Sequence, residues 1–365
     1  MTDKKRCFAV LTGGGDCPGL NAGIRAVVKT FLQNGCDVYG VHNGFNGFVN
    51  DNLQKMDYAS VSGILPRGGT ILGTTNRDNP FKFAIEQEDG SIIYKDMREK
   101  VLENLRKYDI EALVVIGGDG SLNIGAQLAR ECGIKVVGCP KTIDNDLPCT
   151  ERTFGFDTAM AMATEALDRL HTTAESHHRV MVLEVMGRYA GWIALHSGIA
   201  GGADVILLPE IPYQLDSVIA KIEQRKAAGK NFSIIVAAEG AKPEGGEMSV
   251  ARVVKGSFEP IRLGGIGEKV ANAIEERTGI ESRCTVLGYL QRGGSPSAFD
   301  RVLSTRYGVA AAEACLRGED NVMVSLYPDQ SVTVYIQKAA AKPRQVPVDS
   351  EIIRTGRQLG ICFGD

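Results

Sequence analysis

Three carboxylates carry the first chemical signal in this chain: Asp119, Asp144 and Asp146. Asp119 stands inside Gly117-Gly118-Asp119-Gly120-Ser121, and the other two close Lys141-Thr142-Ile143-Asp144-Asn145-Asp146. Glycines let a phosphate approach the backbone, and a helix starting beside them supplies N–H groups and partial positive charge. Carboxylates next to such a place make sense when Mg²⁺ lies between them and the phosphate, or when one must accept a proton. The pattern is that of a phosphate-and-metal site.

The elements that must hold these residues read as one βαβ unit. Ala112–Ile116 is a short apolar run rich in β-branched residues, as in a strand buried on both faces. Leu122–Cys132 has helical apolar spacing and stops at Gly133; Lys135–Cys139 is a second buried run, closed by Pro140. Strands joined by a crossover helix are parallel, so both loops leave one carboxyl edge, where open α/β sheets place ligands. The chain opens with the same grammar: strand Cys7–Leu11, turn Thr12-Gly13-Gly14-Gly15-Asp16, then a helix from Pro18 or Gly19. One glycine turn serves packing in any doubly wound fold; two, each with an aspartate, point to phosphate.

Composition bounds the partners. With 365 residues, 44% hydrophobic and 23% charged, the chain fits about two globular domains. A net charge of −3 supplies no basic field for nucleic acid. Nine cysteines at irregular spacing, with no CxxC pair, read as reduced thiols rather than disulfides or a zinc site. The opening residues hold too short an apolar run for a signal peptide, and no run approaches the roughly 18 residues of a membrane helix. The expected setting is cytoplasmic and membrane-free.

Further along, Arg77 ends a polar loop; its guanidinium is a forked donor for phosphate, though a solvated loop arginine is the plainer reading. Residues 82–96 read as a hairpin turning at Asp89-Gly90. Helix Thr158–Thr172 leads to His177-His178-Arg179, strand Val180–Val185 and Met186-Gly187-Arg188. The paired histidines read as a helix end or subunit contact rather than a metal site. Arg179 and Arg188 flank one strand, so a single ligand can hardly touch both within one subunit, and Arg179 fits a neighbour. Glu239 follows strand Ser233–Ala237, where it either accepts bonds from sugar hydroxyls or closes a turn. Pro243–Glu259 reads as a polar loop, Cys284–Leu290 as a strand, and Asp300–Arg317 as a long helix.

TGGGD, LGTTNR, GGDGS, TIDND, HHR before a strand, MGR and GYLQRGGSP occur in that order. GGDG alone is shared with lipid and NAD kinases. The ordered set, running from Thr12 to Gly308, resembles the 6-phosphofructokinase family, and its bacterial branch with both ATP- and pyrophosphate-using members. The family implies two Rossmann-like three-layer α/β/α domains with mainly parallel sheets and the active site in the cleft between them. Residues 1–155 plus 291–341 would form the donor domain, and 156–290 plus 342–365 the sugar-phosphate domain.

The resemblance implies ATP-dependent phosphorylation of D-fructose 6-phosphate at its 1-hydroxyl, a glycolytic step, with Asp144 as general base. Gly15, Arg77, Gly118, Asp119, Gly120 and Ser121 would contact the donor, Asp119 through Mg²⁺. Thr142, Ile143 and Asp144 would line the acceptor, with Thr142 and Arg188 completing the catalytic group. Met186, Gly187, Arg188, Glu239, Tyr289, Leu290, Gln291 and Arg292 would hold the sugar phosphate. Arg179 and Arg283 would reach it from a neighbouring subunit of a homodimer or homotetramer.

Two positions disagree about the donor. Pyrophosphate-using relatives typically carry aspartate where this chain has Gly120, so glycine leaves room for a nucleotide's inner phosphate. Most strictly ATP-dependent relatives have glycine where this chain has Lys141, whose ammonium suits a phosphate of pyrophosphate. A flexible lysine can swing aside, so ATP is the expected donor and pyrophosphate the alternative. A non-catalytic sugar-phosphate-binding subunit and a lipid or NAD kinase are readings of other classes. The intact acidic set argues against the first, and TIDND with the later arginines against the second. Tyr289 stands where many relatives have histidine; its hydroxyl donates without titrating near neutral pH. Tyr58 and His171 replace arginines usual in the regulatory site beside Arg25 and Lys230, which predicts weakened anion control.

Overall fold

In the computed structural model, residues 4–253, 261–327 and 330–365 are described. Runs of β-branched residues form strands with both faces covered, and the glycine turns after them send the chain into helices. The first half contains β1 (Cys7–Thr12), α1 (Leu20–Gln33), β2 (Asp37–Val41), α2 (Phe45–Val49) and β3 (Leu53–Lys55). A hairpin follows, β4 (Phe83–Glu86) and β5 (Ile92–Lys95), turning through Gly90 as its sequence predicts. Next come α3 (Arg98–Lys107), β6 (Ile110–Gly117), α4 (Asp119–Cys132), β7 (Lys135–Thr142) and the two-residue β8 (Phe154–Gly155).

The second half contains α5 (Phe156–His177), β9 (Val180–Val185), α6 (Trp192–Ala200), β10 (Val205–Leu207), α7 (Leu215–Ala227) and β11 (Ser233–Ala238). It continues with β12 (Val250–Val253), β13 (Ile261–Leu263), α8 (Ile266–Thr278) and β14 (Ser282–Val286). A 3₁₀ turn (Gly288–Arg292) and the long α9 (Ala298–Leu316) return the chain to β15 (Val322–Tyr327) and β16 (Gln330–Tyr335). Short α10 (Ile336–Ala339) and α11 (Glu351–Gln358) end it.

The strands sort into two main sheets. The first has the order β16-β15-β7-β6-β1-β2-β3, with β8 added on β7. Its interior pairs are parallel, and only the outermost strands, β16 and β3, run antiparallel. The second sheet, β10-β11-β9-β14, is wholly parallel. The chain's tail joins its edge, where Cys362 bridges Val205 and Ile206 N donates to Cys362 O at 2.9 Å.

Three cores make the layers. One face of the first sheet (Phe8, Val10, Val114, Ile116) and one face of the second (Met181, Leu183, Val185) share a single core through α1, α5, α6 and α9. The opposite face of the first sheet packs on α3 and α4 through Val101, Leu105, Leu122 and Ala126. The opposite face of the second packs on α7 and α8 through Val218, Ile222, Val270 and Ile274. Each fully buried Leu, Ile or Val contributes about 1.5–3 kcal/mol of transfer free energy, so this shared core fixes the two sheets relative to each other.

Two sequence expectations change. The strand expected over 284–290 ends at Val286, because Gly288 turns the chain with φ 51° and the next residues wind into the 3₁₀ turn. The loop expected over 243–259 contains β12, paired antiparallel with β13; the stretch 254–259 of that expectation lies outside the described residues. All nine cysteines are free thiols. Among the described residues no helix is long and apolar enough to cross a membrane.

Candidate active site

Register brings the two glycine turns together. Thr12 pairs with Ile116, and Ile116 with Cys139, so the carboxyl ends of β1, β6 and β7 stand side by side. Helix α4 starts at Asp119 rather than Leu122. Gly118 is extended (φ −83°, ψ −170°), and its carbonyl accepts the first helical bond from Leu122 N at 3.0 Å. Asp119, Gly120 and Ser121 are therefore the first turn, whose N–H groups lack intrahelical partners and face an anion favourably. Ser121 is wedged between the two turns. A Cβ on Gly13 would lie 2.5 Å from its Oγ, and one on Gly117 2.5 Å from its Cβ, so neither position takes a side chain. Gly120 is the opposite case: exposed, with nothing within 4 Å of where a side chain would start.

The 70–77 loop is stapled to the first turn. Gly14 N donates to Thr75 O at 3.0 Å, Thr74 Oγ1 to Gly14 O at 2.6 Å, and Thr12 Oγ1 to Gly73 O at 2.7 Å. Arg77 follows in this loop and is exposed, its backbone N–H held by Thr75 Oγ1. Lys141, only 4% exposed, reaches under the same turn and donates to Gly15 O at 2.6 Å. Burial pushes its ammonium below the usual lysine range; Arg292 adds to this, and Cys17, Asp119 and Asp16 oppose it. Arg292 lies over the turn as well, donating to Asp16 O at 3.2 Å.

The acidic loop is rigidly held. Asp144 N donates to Thr142 Oγ1 at 3.1 Å, Thr153 Oγ1 to Thr142 O at 2.7 Å, and Thr153 N to Asn145 Oδ1 at 3.0 Å. Asn145 takes the left-handed conformation (φ 51°), which asparagine tolerates better than most residues, and this makes the sharp bend. Burial raises the Asp146 carboxyl to about 7, with the charges of Asp144 and Asp119 adding and the Thr142 hydroxyl opposing. Three carboxylates thus share one field, which a proton or a cation relieves. Among the described residues no group of three or more His, Cys, Asp or Glu forms a metal cage. Mg²⁺ needs none: it usually takes one or two carboxylates, with waters and substrate phosphates completing the octahedron. The acidic set fits that ion.

The second sheet answers from across the cleft. Arg188 follows β9 and Glu239 follows β11, side by side because Val185 pairs with Ala238. Glu239 N donates to Val185 O at 2.8 Å and Gly240 N to Gly187 O at 3.1 Å. Burial raises the Glu239 carboxyl to about 7; the Asp144 charge adds to this, while Arg188 and the Gly187 backbone pull the other way. Asp144, Arg188 and Glu239 therefore occupy one electrostatic site formed by both sheets. Ile143 is buried beneath it. Gln291, fully buried, accepts from Met186 N at 3.2 Å and donates to Gly288 O at 3.0 Å, tying the Met186–Arg188 loop to the 3₁₀ turn. Tyr289 and Leu290 stand in solvent on that turn, 70% and 64% exposed.

Arg179 and Arg283 are elsewhere. They sit at the amino edge of β9 and β14, where Arg283 pairs with Met181. Both bind Glu281, Arg179 Nε at 2.7 Å and Arg283 Nη2 at 2.6 Å. The six residues of β9 span about 20 Å, so neither shares a site with Arg188 of the same chain. His178 caps α5 in the left-handed conformation, a helix end as its sequence suggested. Tyr58 and His171 are engaged inside the chain, Tyr58 with Gln33 Oε1 at 2.9 Å and His171 with Gly201 O at 2.7 Å. Sequence reasoning did not single out Thr153 or Arg344, yet both hold the acidic loop; Arg344 Nη2 donates to Asn145 O at 2.8 Å. No local motif marks either residue, because each acts through a tertiary contact.

A family model described as phosphofructokinase matches residues 7–315. The chain is similar to ATP-dependent 6-phosphofructokinase 2 of Clostridium perfringens, with 53% identity over 360 residues covering 98% of each chain. It is also similar to pyrophosphate–fructose 6-phosphate 1-phosphotransferase of Amycolatopsis mediterranei, with 51% identity over 342 residues, 93% of this chain and 96% of the relative. Among solved structures it is similar to a phosphofructokinase of Pichia pastoris, with a TM-score of 0.79 and 33% identity over 93% of this chain and 36% of that one.

Proposed function

Because the chain belongs to the phosphofructokinase family, we propose that it phosphorylates the 1-hydroxyl of D-fructose 6-phosphate with ATP, giving fructose 1,6-bisphosphate and ADP. The observation that carries the donor is Gly120. It sits in the first turn of α4 with open space where a side chain would begin, so a nucleotide's inner phosphate meets N–H groups and no carboxylate. The pyrophosphate reading rests on Lys141, held at the Gly15 turn, and on the Amycolatopsis relative.

The residues divide the work as follows. Gly15, Gly118, Gly120 and Ser121 cradle the donor phosphates, and Arg77 reaches them from its stapled loop. Asp119 holds Mg²⁺, which when bound offsets the negative charge of the donor's phosphate oxygens. Met186, Gly187, Glu239, Tyr289, Leu290, Gln291 and Arg292 bind the sugar phosphate, with Arg179 and Arg283 arriving from a neighbouring subunit of a homo-oligomer. Thr142 and Ile143 orient the acceptor. The 1-hydroxyl oxygen forms a bond to the terminal phosphorus as the bond to ADP breaks, and its proton passes to the Asp144 carboxylate. Arg188 stabilises the charge that develops. Residues 1–155 with 291–341 form the donor domain and 156–290 with 342–365 the sugar-phosphate domain. Supporting this division, β15 and β16 complete the first sheet and Cys362 extends the second.

The test is a two-donor assay. Purified protein with fructose 6-phosphate and Mg²⁺ is expected to turn over with ATP. Turnover with pyrophosphate alone overturns the choice of donor and leaves the acceptor standing.

A further inference from the structure

Residues 344–346 lie beyond the region matched by the family model, yet they run between the catalytic loops of both sheets. Toward the first sheet, Arg344 N donates to Asp146 O at 2.5 Å. Its guanidinium donates to Asn145 O (Nη2 at 2.8 Å, Nε at 3.3 Å) and to Glu151 O (Nη2 at 3.1 Å). Toward the second sheet, Trp192 Nε1 donates to Arg344 O at 2.8 Å, and the guanidinium carbon lies 4.8 Å from the indole centroid. Gln345 Nε2 donates to Tyr189 O at 3.1 Å. Val346 N donates to Glu210 Oε1 at 2.8 Å, and the same carboxylate accepts from Gly191 N at 3.0 Å.

Three consecutive residues thus bond the loop carrying Asp144 and the loop carrying Arg188. Such loop carbonyls have no ladder or helix to satisfy them, and a buried one left unpaired is costly. The guanidinium is a planar fork able to serve two carbonyls at once, and charged donors make the stronger bonds. Its partly buried charge is in turn stabilised by the Trp192 ring.

We propose that Arg344 is a positioning residue for phosphoryl transfer. It fixes the 144–146 loop against the 186–191 loop and so sets where Asp144 stands relative to the acceptor hydroxyl. This rests on the reading of Asp144 as the proton acceptor.

The experiment compares full-length wild type, Arg344→Ala, Arg344→Lys and Trp192→Phe. Misplacing a reacting group by about 1 Å costs about 10²-fold, so Arg344→Ala is expected to lose about 30- to 100-fold in kcat while either KM changes less than about threefold. Arg344→Lys keeps the charge but not the fork, and should recover only part of kcat. Trp192 is the only tryptophan, so its emission reports the contact directly: Arg344→Ala should shift it, while the carbonyls left without the guanidinium lower the unfolding midpoint by only a few degrees. A kcat within about threefold of wild type, or kcat and KM worsening together with the unfolding midpoint, overturns the positioning role. If Arg344→Ala yields no folded protein, Trp192→Phe decides the matter. It removes the bond to Arg344 O and the indole face beside the guanidinium, the two contacts through which Trp192 holds Arg344 to the second sheet, and an unchanged kcat in that variant overturns the proposal. Absence of wild-type turnover with fructose 6-phosphate refutes the functional reading instead, and normal turnover with an indifferent Arg344→Ala refutes the positioning role alone.

Discussion

The two edges of the second sheet carry the same residue type in opposite circumstances. At the carboxyl edge, Arg188 stands near Glu239 and Asp144, and Glu239 is so poorly solvated that its carboxyl is raised to about 7. At the amino edge, Arg179 and Arg283 share Glu281, whose carboxyl is held below its usual value, first by the Arg179 hydrogen bond. The carboxyl edge is unsettled in one respect: burial disfavours the charged form of Glu239. The amino edge is compensated and only partly exposed, a surface at rest. Residue type therefore does not assign an arginine to the site; strand register does. On the proposed reading, one chain supplies Asp144, Arg188 and Arg292 to a site, and Arg179 and Arg283 reach it from a second subunit.

The largest effect tests the unsettled edge. Asp144→Asn keeps the shape of the side chain and removes the proton acceptor, so kcat should fall about 10²- to 10⁴-fold with a small change in KM. A loss under about tenfold would place the base elsewhere. Next comes the contrast between the edges. Arg188→Ala and Arg179→Ala should each lower kcat/KM by about 10²-fold, as loss of a charge on a bound phosphate costs several kcal/mol. Subunits of the two variants, dissociated and reassembled together, should regain activity, because some hybrid sites hold both arginines. Hybrids as inactive as their parents would put both residues to work within one chain.

The smallest effect is a pH dependence of stability. Glu239 binds its proton more tightly in the folded protein than in the unfolded chain. Its contribution is therefore complete below pH 4.5 and is lost as pH rises toward about 7. Asp146, also raised to about 7, acts in the same direction. The ligand-free melting temperature should fall across that window, and Glu239→Gln should flatten the fall. An unchanged slope in the variant would show that Glu239 is solvated after all.

Much of this arrangement is legible in the sequence because it is local. The strand–glycine–helix units around Asp16 and Asp119 are written in apolar period and turn residues, and both formed. Arg179 and Arg188 are separable by strand length alone. Other features depend on neighbours remote in the chain. The start of α4 at Asp119 needs Gly118 extended against β7, which apolar spacing does not report. The strand expected over 284–290 keeps its apolar composition past Val286, but the left-handed Gly288 ends it. Lys141 reads as a flexible side chain and is instead buried beneath Gly15. Arg344 carries no motif at all, since its partners Asn145, Glu151 and Trp192 are assembled only by the fold.

The order of strands in the first sheet has a consequence for synthesis. Strand β7 needs β15 as its neighbour, with Val322 pairing to Val137, yet the whole second sheet is encoded between them. At about 5–20 residues per second, a ribosome leaves that edge of β7 uncovered for roughly ten seconds or more. A strand built to be buried and left unpaired is a template for pairing with another chain, and closing so long a loop slows folding. During that interval the nascent protein is most exposed to aggregation, and a chaperone that shields the β7 edge should raise the yield of folded enzyme more than one acting on the completed chain.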